Sequence, residues 1–318
     1  MGIRILGTGK ALPEKVVSNE ELSKYIDTDD EWIIAKTGIK NRRVCTTETI
    51  NDLAAEAGRA AIEKSGLSPA DIDLIIGATI GGSHTTPALS CGVMQRIGAK
   101  CAAFDVNAAC SGFIYALDVA KCYINSGSAK NILIISGEVL SRHIDWTDRN
   151  TCILFGDGAG ACVVAKGNAL KYSKLGADGN VKPLFLKAGT GNNPFVWESI
   201  DMGYLEMHGQ NVFKFAVKTV DEEVQTAFDK LGMSADDVDY FILHQANKRI
   251  IDGIRTRLKQ PAEKFPVNID KYGNMSAASI PVLLDEMLCE GKIKVGDTLV
   301  MIGFGAGMTT GTCVMTWE

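Results

Sequence analysis

The feature that most constrains the fold is a sequence repeat that relates the two halves of the 318-residue chain. Three segments of the first half match three segments of the second in the same order, and the first two pairs have nearly the same offset. The matching pairs are 64–76 with 230–242, 128–138 with 295–305, and 156–166 with 305–317. An ordered repeat of this kind indicates duplicated structural units. We therefore predict two homologous halves, residues 1–170 and residues 171–318.

Each half alternates apolar runs with helical stretches, which favours an α/β fold with a mainly parallel sheet flanked by helices. The apolar runs are short and continuous, as expected of strands that are buried on both faces. The predicted strands are 74–80, 132–137, 240–245 and 298–303. Residues 176–215 have no counterpart in the first half and are rich in Gly, Asn and Pro. We expect this segment to form a loop or a cap over a site.

Composition limits the kinds of partner and the cellular location that we expect for the protein. The formal net charge of -5 argues against free nucleic acid as a partner, because phosphate binding requires a basic surface. No apolar run reaches the ~18 residues of a membrane span, and the N-terminal residues do not resemble a signal peptide. We therefore expect a cytoplasmic protein without a membrane partner. The cysteines and histidines show no ligand spacing, so reduced thiols and no metal site are predicted.

Cys110 is the candidate nucleophile. The segment FDVNAACSGFIY indicates a strand that ends near Val106 and a long apolar helix that begins close to Cys110. A thiol at a helix N-terminus faces the positive end of the helix dipole, which lowers its pKa and favours the reactive thiolate. The alternative is a small core residue at a tight strand–helix junction, since free cysteines are often buried.

Two polar residues of the second half are candidates for the same site. His244 stands at the carboxyl end of a predicted strand, where reacting groups collect in open parallel sheets, and Asn274 precedes a helix in the segment YGNMSAAS. Each residue also has a structural explanation, as a packed histidine or a turn asparagine. The repeat predicts that Cys110, His244 and Asn274 meet at the interface of the halves, as nucleophile, imidazole and amide donor.

Four motifs in this order and spacing resemble beta-ketoacyl-acyl-carrier-protein synthase III, the initiating condensing enzymes of bacterial fatty acid biosynthesis in the thiolase superfamily. They are AACSG around Cys110, HQAN from His244, GNMSAAS at 273–279 and GFGAGMTTG at 303–311. The resemblance covers essentially the whole chain. It implies a thiolase-like fold in which two duplicated α/β halves form a five-layered αβαβα arrangement.

The resemblance implies an acyltransferase mechanism in two steps. Cys110 takes an acyl group from acyl-CoA, which is a substrate, so no cofactor is expected. His244 and Asn274 then hold the thioester oxygen of malonyl-acyl carrier protein (malonyl-ACP) during decarboxylation, and the carbanion attacks the acyl-Cys110 thioester to give beta-ketoacyl-ACP. The backbone N–H groups of Cys110 and Ala306 form a further oxyanion hole.

Residues that contact the substrate are also implied by the resemblance. Trp32 and Arg149 would sandwich the CoA adenine, and Asn247 would contact CoA. Lys36 stands where many family members have Arg, and lysine cannot make the same bidentate phosphate contact. The family forms homodimers in which a residue near the SHTTP segment closes the partner's acyl pocket. The matched residue is Thr86, whose small side chain is compatible with longer or branched starter groups.

A set of basic residues is a candidate docking surface for the acidic carrier protein. It consists of Lys214, Lys248, Arg249, Arg255 and Lys259. At helical spacing Lys248, Arg255 and Lys259 fall on one face, and this face stands out against the negative net charge of the chain. The alternative is a basic helix face that only contacts solvent.

Three other functions remain open at this point. The first is a related starter enzyme of polyketide or quinolone synthesis, which would share the three catalytic residues and differ in the acceptor. The second is a catalytically silent acyl-CoA-binding or partner subunit that keeps the fold. The third is a cysteine hydrolase, which would need a route for water and a histidine base beside Cys110.

Overall fold

A computed structural model of the chain describes residues 2–189, 195 and 203–318. The strands are β1 Gly2–Ala11, β2 Val16–Ser18, β3 Asn41–Arg43, β4 Leu74–Ala78, β5 Ala102–Val106, β6 Asn131–Val139, β7 Asp157–Gly167, β8 Leu170–Ala177, β9 Leu184–Leu186, β10 Leu205–Met207, β11 Tyr240–Leu243, β12 Thr298–Gly305 and β13 Thr309–Thr316. The α-helices are α1 Asn19–Leu22, α2 Asp30–Thr37, α3 Ile50–Ser65, α4 Leu89–Ile97, α5 Gly112–Asn125, α6 Gly209–Leu231, α7 Lys248–Leu258, α8 Ile269–Tyr272 and α9 Ser279–Cys289. All four strands predicted from apolar runs are present.

Two sheets with the same strand order form the frame of the molecule. The first has the order β1-β7-β6-β4-β5, and the second has the order β8-β13-β12-β11. In each sheet one antiparallel strand, β7 or β13, lies between its two neighbours, while β4–β6 and β11–β12 are parallel. The matching topology agrees with the sequence repeat.

The prediction of mainly parallel sheets is wrong, because both sheets are mixed. In the second sheet the chain turns back through Ala306–Met308, and β13 pairs antiparallel with β12. Such a short connection allows only antiparallel pairing, whereas parallel pairing needs a longer crossover. In the first sheet β7 also pairs antiparallel with β6, although residues 140–156 separate the two strands.

Helices and sheets alternate in five layers, as the resemblance implied. Helices α3 and α4 cover the outer face of the first sheet, around Leu53 and Leu133. Helices α5 and α9 lie between the two sheets, around Phe113 and Leu284. Helices α6 and α7 cover the outer face of the second sheet. Each apolar helix face is buried against a sheet, which is the main source of stability in such layered folds.

Polar contacts join α9 to the first half of the chain. The Asp285 carboxylate accepts hydrogen bonds from the Thr8 hydroxyl at 2.8 Å and from the Lys64 ammonium group at 2.5 Å. The Glu286 carboxylate lies 2.7 Å from Lys10 Nζ. Both carboxylates are buried, so these ionic hydrogen bonds satisfy charges that would otherwise be costly at the seam.

Residues 176–215, which have no counterpart in the sequence of the first half, contain the end of β8, the short antiparallel pair β9–β10 and the start of α6. They border a cavity through Leu184, Leu205 and Met207. The predicted cap is therefore present among the described residues, and 190–194 and 196–202 lie outside them.

None of the helices in the described part of the chain is both long and apolar enough to cross a membrane.

Candidate active site

The three residues predicted to be catalytic border one cavity between the two halves. The cavity has a volume of about 720 Å³ and is lined by Cys110, His244 and Asn274 together with apolar side chains such as Leu154 and Phe304. Sequence separation between the cysteine and the other two residues is large, and the layered fold brings them together. A concave apolar site with a few convergent polar groups is the usual form of a small-molecule site.

Cys110 lies in a strained turn between β5 and α5. The turn is a 3-10 segment over Ala109–Ser111, and Ala109 has φ +47°. The Asn107 side-chain oxygen accepts a hydrogen bond from the Ala109 N–H at 3.3 Å. Positive φ at a residue other than glycine costs free energy and is often found at functional sites. The turn ends at Gly112, where α5 begins, so the predicted position of Cys110 at a helix start is confirmed.

The electrostatic surroundings of Cys110 differ from the sequence-based expectation. Burial raises the pKa of the thiol to about 12, a hydrogen bond with Ser276 opposes this shift, and the Glu138 carboxylate adds to it. The helix N-terminus was expected to lower the pKa, but only 7% of Cys110 is exposed and a thiolate there loses its hydration. Near neutral pH Cys110 therefore holds a protonated thiol, and any reaction that needs its thiolate requires an acceptor for that proton.

His244 follows β11 and presents one ring nitrogen to the cavity. Its Nδ1 lies 2.7 Å from the Ser279 hydroxyl oxygen, and its ring packs edge-on against Phe304 with centroids 5.2 Å apart. Because Nδ1 is engaged, Nε2 is the nitrogen available to a substrate. Burial lowers the pKa of His244 to about 3, so the imidazole is neutral. It can donate a hydrogen bond to a ligand in the cavity only in the Nε2–H tautomer.

Ser279 contacts His244 Nδ1 and therefore bears on the tautomer. Its hydroxyl group donates a hydrogen bond to the Ser276 carbonyl oxygen at 2.9 Å and accepts one from the Gln245 N–H at 3.3 Å. In that arrangement the hydroxyl oxygen can accept a hydrogen from Nδ1 but has no hydrogen to donate to it. The Nε2–H tautomer requires the Ser279 hydroxyl to turn from the Ser276 carbonyl and donate to Nδ1.

The amide of Asn274 is oriented by its neighbours. Its Oδ1 accepts a hydrogen bond from the Ser276 N–H at 2.8 Å. The backbone of Asn274 is also fixed, because its N–H donates to Leu154 O at 2.8 Å and its carbonyl accepts from the Gly156 N–H at 3.0 Å. Since Oδ1 is occupied, Nδ2 is the group that can donate to a ligand in the cavity.

The glycine-rich segment at the end of β12 lies close to Cys110. A Cβ atom at Gly305 would lie only 2.6 Å from the backbone nitrogen of Cys110. Only glycine permits this approach, because any side chain would displace the Cys110 turn. Ala306 lines the cavity, and its carbonyl accepts a hydrogen bond from the Thr309 hydroxyl at 3.2 Å. The backbone segments predicted to form an oxyanion hole are therefore adjacent.

The residues matched to CoA contacts lie in two places. Asn247 caps α7 through its Oδ1, which accepts from the Arg249 N–H at 2.8 Å, and its Nδ2 donates to Lys36 O at 3.1 Å. Lys36 and Asn247 both line the main cavity. The Arg149 guanidinium lies over the Trp32 indole, 5.0 Å from the ring centroid, at the surface and outside this lining.

Thr86 lies on the surface, away from the other predicted substrate contacts. It is exposed and does not border the cavity of this chain. Its role at a partner's pocket stays a prediction, because the structure contains a single chain.

The predicted basic surface is divided in two. Lys214 and Arg249 are exposed at the cavity that contains Cys110. Lys248 is paired with Asp252 at 2.6 Å, and Arg255 Nε lies 3.9 Å from the same carboxylate. Lys259 ends α7 with φ +54°. The expected continuous basic face of α7 is therefore partly neutralised by Asp252.

Sequence reasoning missed three residues that surround the site. Ser276 and Ser279 lie in a predicted helix-start motif, and Glu138 directly follows the predicted strand 132–137. A carboxylate at the end of an apolar strand is the available signal for Glu138, since a buried charge needs a partner or a function. No comparable signal marks the two serines.

Comparison with known proteins agrees with the motifs. A family model described as 3-oxoacyl-[acyl-carrier-protein (ACP)] synthase III matches residues 104–179, and a model of its C-terminal part matches residues 228–317. The beta-ketoacyl-[acyl-carrier-protein] synthase III of Clostridium acetobutylicum is 46% identical, over 99% of this chain and 98% of its own.

Solved structures agree in fold as well. The crystal structure of 3-oxoacyl-[acyl-carrier-protein] synthase III from Aquifex aeolicus VF5 has a TM-score of 0.93 and 44% identity, covering 99% of this chain and 100% of its own. That of a priming beta-ketosynthase from a polyketide biosynthetic pathway has a TM-score of 0.92 and 34% identity, covering 100% and 97%. By sequence, fold and site together, this chain belongs to the 3-oxoacyl-, or beta-ketoacyl-, [acyl-carrier-protein] synthase III family.

Proposed function

We propose that this protein transfers an acyl group from acyl-CoA to Cys110 and condenses it with malonyl-ACP to give beta-ketoacyl-ACP, the first condensation of fatty acid biosynthesis. The observation that carries the proposal is the convergence of one thiol, one neutral imidazole and one inward-facing amide on a single cavity. The family membership supports the same reaction. Acyl-CoA is a substrate, and the proposed chemistry calls for no additional cofactor.

In the first step the Cys110 sulfur attacks the acyl-CoA thioester. The carbon–sulfur bond to Cys110 forms, the bond to CoA breaks, and the electron pair leaves with the CoA sulfur. The tetrahedral intermediate places negative charge on the former carbonyl oxygen. The adjacent backbone segments at Cys110 and Ala306 support an oxyanion hole there, because fixed N–H donors stabilise such charge without reorganisation.

In the second step the malonyl thioester loses carbon dioxide. The enolate that forms carries charge on the thioester oxygen, which His244 Nε2–H and Asn274 Nδ2–H would stabilise. Both donors are held by neighbouring hydrogen bonds at 2.7 and 2.8 Å, so little entropy is lost when they bind the enolate. The enolate carbon then attacks the acyl-Cys110 thioester, and the Cys110 sulfur leaves as a thiolate with the electron pair of the broken bond and takes up a proton from solvent. A neutral imidazole suits this role because it donates a hydrogen bond and does not protonate the carbanion.

The contact between Trp32 and Arg149 supports a place for the CoA adenine. Atoms in contact lie about 3.5–4 Å apart, so an adenine could enter between the two groups only if they separate. The exposed Arg149 side chain donates a hydrogen bond to the Asp27 carbonyl at 3.2 Å. Because this bond is at the surface, Arg149 can move away from Trp32 at modest cost in free energy. Lys36 and Asn247 at the cavity would contact the pantetheine arm farther in.

Mass spectrometry of the intact protein tests the reaction. The purified protein is incubated with a panel of acyl-CoAs, and malonyl-ACP is then added. A single acyl adduct that is converted to beta-ketoacyl-ACP would support the proposal and identify the starter group. Failure of every acyl-CoA to form an adduct would refute it.

A priming enzyme of polyketide synthesis is the second candidate, because a solved enzyme of that description covers the whole chain at 34% identity. The same catalytic residues would serve both functions, and only the acceptor differs. An adduct that forms with acyl-CoA but does not react with the malonyl-ACP of fatty acid synthesis would favour this candidate.

The carrier protein is proposed to dock at the cavity mouth through Lys214 and Arg249. We expect Arg249→Glu to raise KM for malonyl-ACP about tenfold, which corresponds to ~1.4 kcal/mol of binding free energy, because charge reversal repels an acidic partner. The matched control is Arg257→Glu, on the same helix but paired with Asp221 at 3.3 Å. Steady-state kinetics at two salt concentrations measure the effect, which should shrink as salt screens it. Equal effects of the two variants would contradict docking at Arg249.

The edge strand β5 supports a homodimer. It ends the first sheet and, among the residues that the structure describes, pairs only with β4, while its own residues Phe104 and Val106 are partly buried. An exposed edge of this kind invites pairing with a second copy. Asp105 accepts hydrogen bonds from the N–H groups of Leu89 and Ser90, so the segment that carries Thr86 lies next to this edge.

We expect light scattering to give the mass of two 34.1 kDa chains, and a monomer at assay concentration would contradict the dimer.

A further inference from the structure

The carboxylate of Glu286 binds the short helix that precedes Asn274. Glu286 is a buried residue of α9. Its Oε2 accepts a hydrogen bond from Asn268 Nδ2 at 2.8 Å, and its Oε1 accepts one from the Tyr272 hydroxyl at 2.5 Å. Asn268 is the residue before α8, and Tyr272 is the last residue of that helix. One carboxylate therefore holds both ends of α8.

Lys10 of β1 supplies the opposite charge. Its ammonium group lies 2.7 Å from Glu286 Oε1. Burial would raise the pKa of Glu286, but the hydrogen bonds from Lys10 and from the two partners on α8 outweigh it, and the pKa lies below its usual value. The carboxyl group is therefore ionised near neutral pH. An ionised acceptor forms stronger hydrogen bonds than a neutral one, so the contacts with α8 are strong.

Helix α8 connects the two proposed enolate donors. At its start, the Asn268 N–H donates to Gln245 Oε1 at 3.2 Å, and Gln245 directly follows His244 in the chain. At its end, a single glycine separates the helix from Asn274. The helix therefore acts as a spacer between the imidazole and the amide. A tilt of α8 would change the distance between these two groups.

The other bonds that hold this spacer involve only neutral groups. Asn274 forms an isolated bridge with Phe155, and the Asp270 carbonyl accepts a hydrogen bond from the Lys40 N–H at 3.0 Å. A helix of a single turn has little stability of its own, so its orientation depends on bonds to its neighbours. Of the bonds named here, those to Glu286 have an ionised partner and contribute most.

We propose that Glu286 is a positioning residue for the condensation step, because it holds both ends of α8 and so sets the separation of the two enolate donors. This inference rests on the proposed function and deepens its second step. Glu286 acts at a distance, since neither it nor α8 is among the described residues that line the cavity. Acylation of Cys110 uses the thiol and backbone donors and does not depend on α8.

Glu286→Gln keeps the size of the side chain and removes its charge. We expect this variant to lower kcat for condensation about tenfold, because a misplacement of ~1 Å can cost ~10²-fold and the carboxamide retains one acceptor. The single-turnover rate of Cys110 acylation and KM for malonyl-ACP should stay at their wild-type values. A loss in kcat with KM unchanged marks an interaction that matters in the transition state.

Tyr272→Phe tests the same contact from the other side. It removes one hydrogen bond to Glu286 and keeps both the carboxylate and the aromatic ring. We expect a smaller loss of condensation and again no change in acylation. The variant with both substitutions should be no slower than Glu286→Gln alone, since the two changes break one contact. In a protein that carries Asn274→Asp, Glu286→Gln should have little further effect, because one of the two donors is already lost.

The matched control is Asp285→Asn. It replaces the adjacent buried carboxylate of α9, which is bonded to Thr8 and Lys64 instead of to α8. The control measures what a weaker seam between the halves costs by itself. Its loss of condensation should be much smaller than that of Glu286→Gln. Thermal unfolding compares the stability of all the variants.

Several results would overturn the positioning role. Equal losses in Glu286→Gln and Asp285→Asn, or a parallel loss of acylation and condensation in Glu286→Gln, would show a general structural role. Wild-type condensation in both Glu286→Gln and Tyr272→Phe would show no role. If Glu286→Gln does not fold, the ratio of condensation to acylation in Tyr272→Phe decides alone. The absence of beta-ketoacyl-ACP from the wild type would instead refute the proposed function, and the positioning role with it.

Discussion

The Cys110→Ala protein is expected to form no acyl adduct with any acyl-CoA and to show no condensation above the uncatalysed background. Cys110 carries the sulfur atom that lines the cavity, and alanine has no nucleophile to replace it. The substitution removes one atom from a small buried site, so the fold should persist with a loss of about 1 kcal/mol. Intact mass spectrometry before and after acyl-CoA measures the adduct, and thermal unfolding confirms the fold.

The other cysteines provide the control for this experiment. Cys122 and Cys289 are exposed and remain in the variant, so any non-specific acylation will still be visible. An adduct of equal yield in Cys110→Ala would show that acylation takes place elsewhere and would contradict the assignment of the nucleophile.

Asn274→Asp is expected to separate the two steps of the reaction. Acylation of Cys110 should proceed at nearly the wild-type rate, while condensation with malonyl-ACP should fall by about 10²–10³-fold, the typical effect of losing one oxyanion donor. The aspartate can still accept the hydrogen bond from the Ser276 N–H, so the local backbone is preserved. Its second oxygen would face the enolate oxygen where an N–H is needed.

The two rates are measured separately, by single-turnover acylation and by formation of beta-ketoacyl-ACP. Acylation serves as the internal control because it uses the same cysteine and the same cavity. A parallel loss of both rates would show that Asn274 positions the Cys110 turn instead of stabilising the enolate.

The fold could be predicted largely because the sequence repeats itself. Matching apolar runs in the two halves located strands such as β4 and β11, and their buried pattern confirmed the layered arrangement. The mixed direction of the sheets was missed, since an apolar run does not reveal the direction of its neighbour. For β12 and β13 that information lies in the short connection Ala306–Met308.

The site could be predicted only in part. Cys110, His244 and Asn274 carry recognisable chemistry, and the repeat indicated that they would meet. The influence of burial on Cys110 could not be foreseen, because it depends on side chains from several distant segments. The pairing of Lys248 with Asp252 could have been anticipated, since oppositely charged residues four apart on a helix usually interact.

The polar seam between α9 and the first sheet has a consequence for how variants of this enzyme will behave. Cys110, the proposed nucleophile, belongs to the first half, and the two proposed enolate donors belong to the second. Asp285 and Glu286 join the halves through Thr8, Lys64 and Lys10. A small slip along this seam would widen the distance between sulfur and donors long before either sheet lost its order. Substitutions of seam residues that do not contact a substrate would then lower the catalytic rate although the protein stays fully folded.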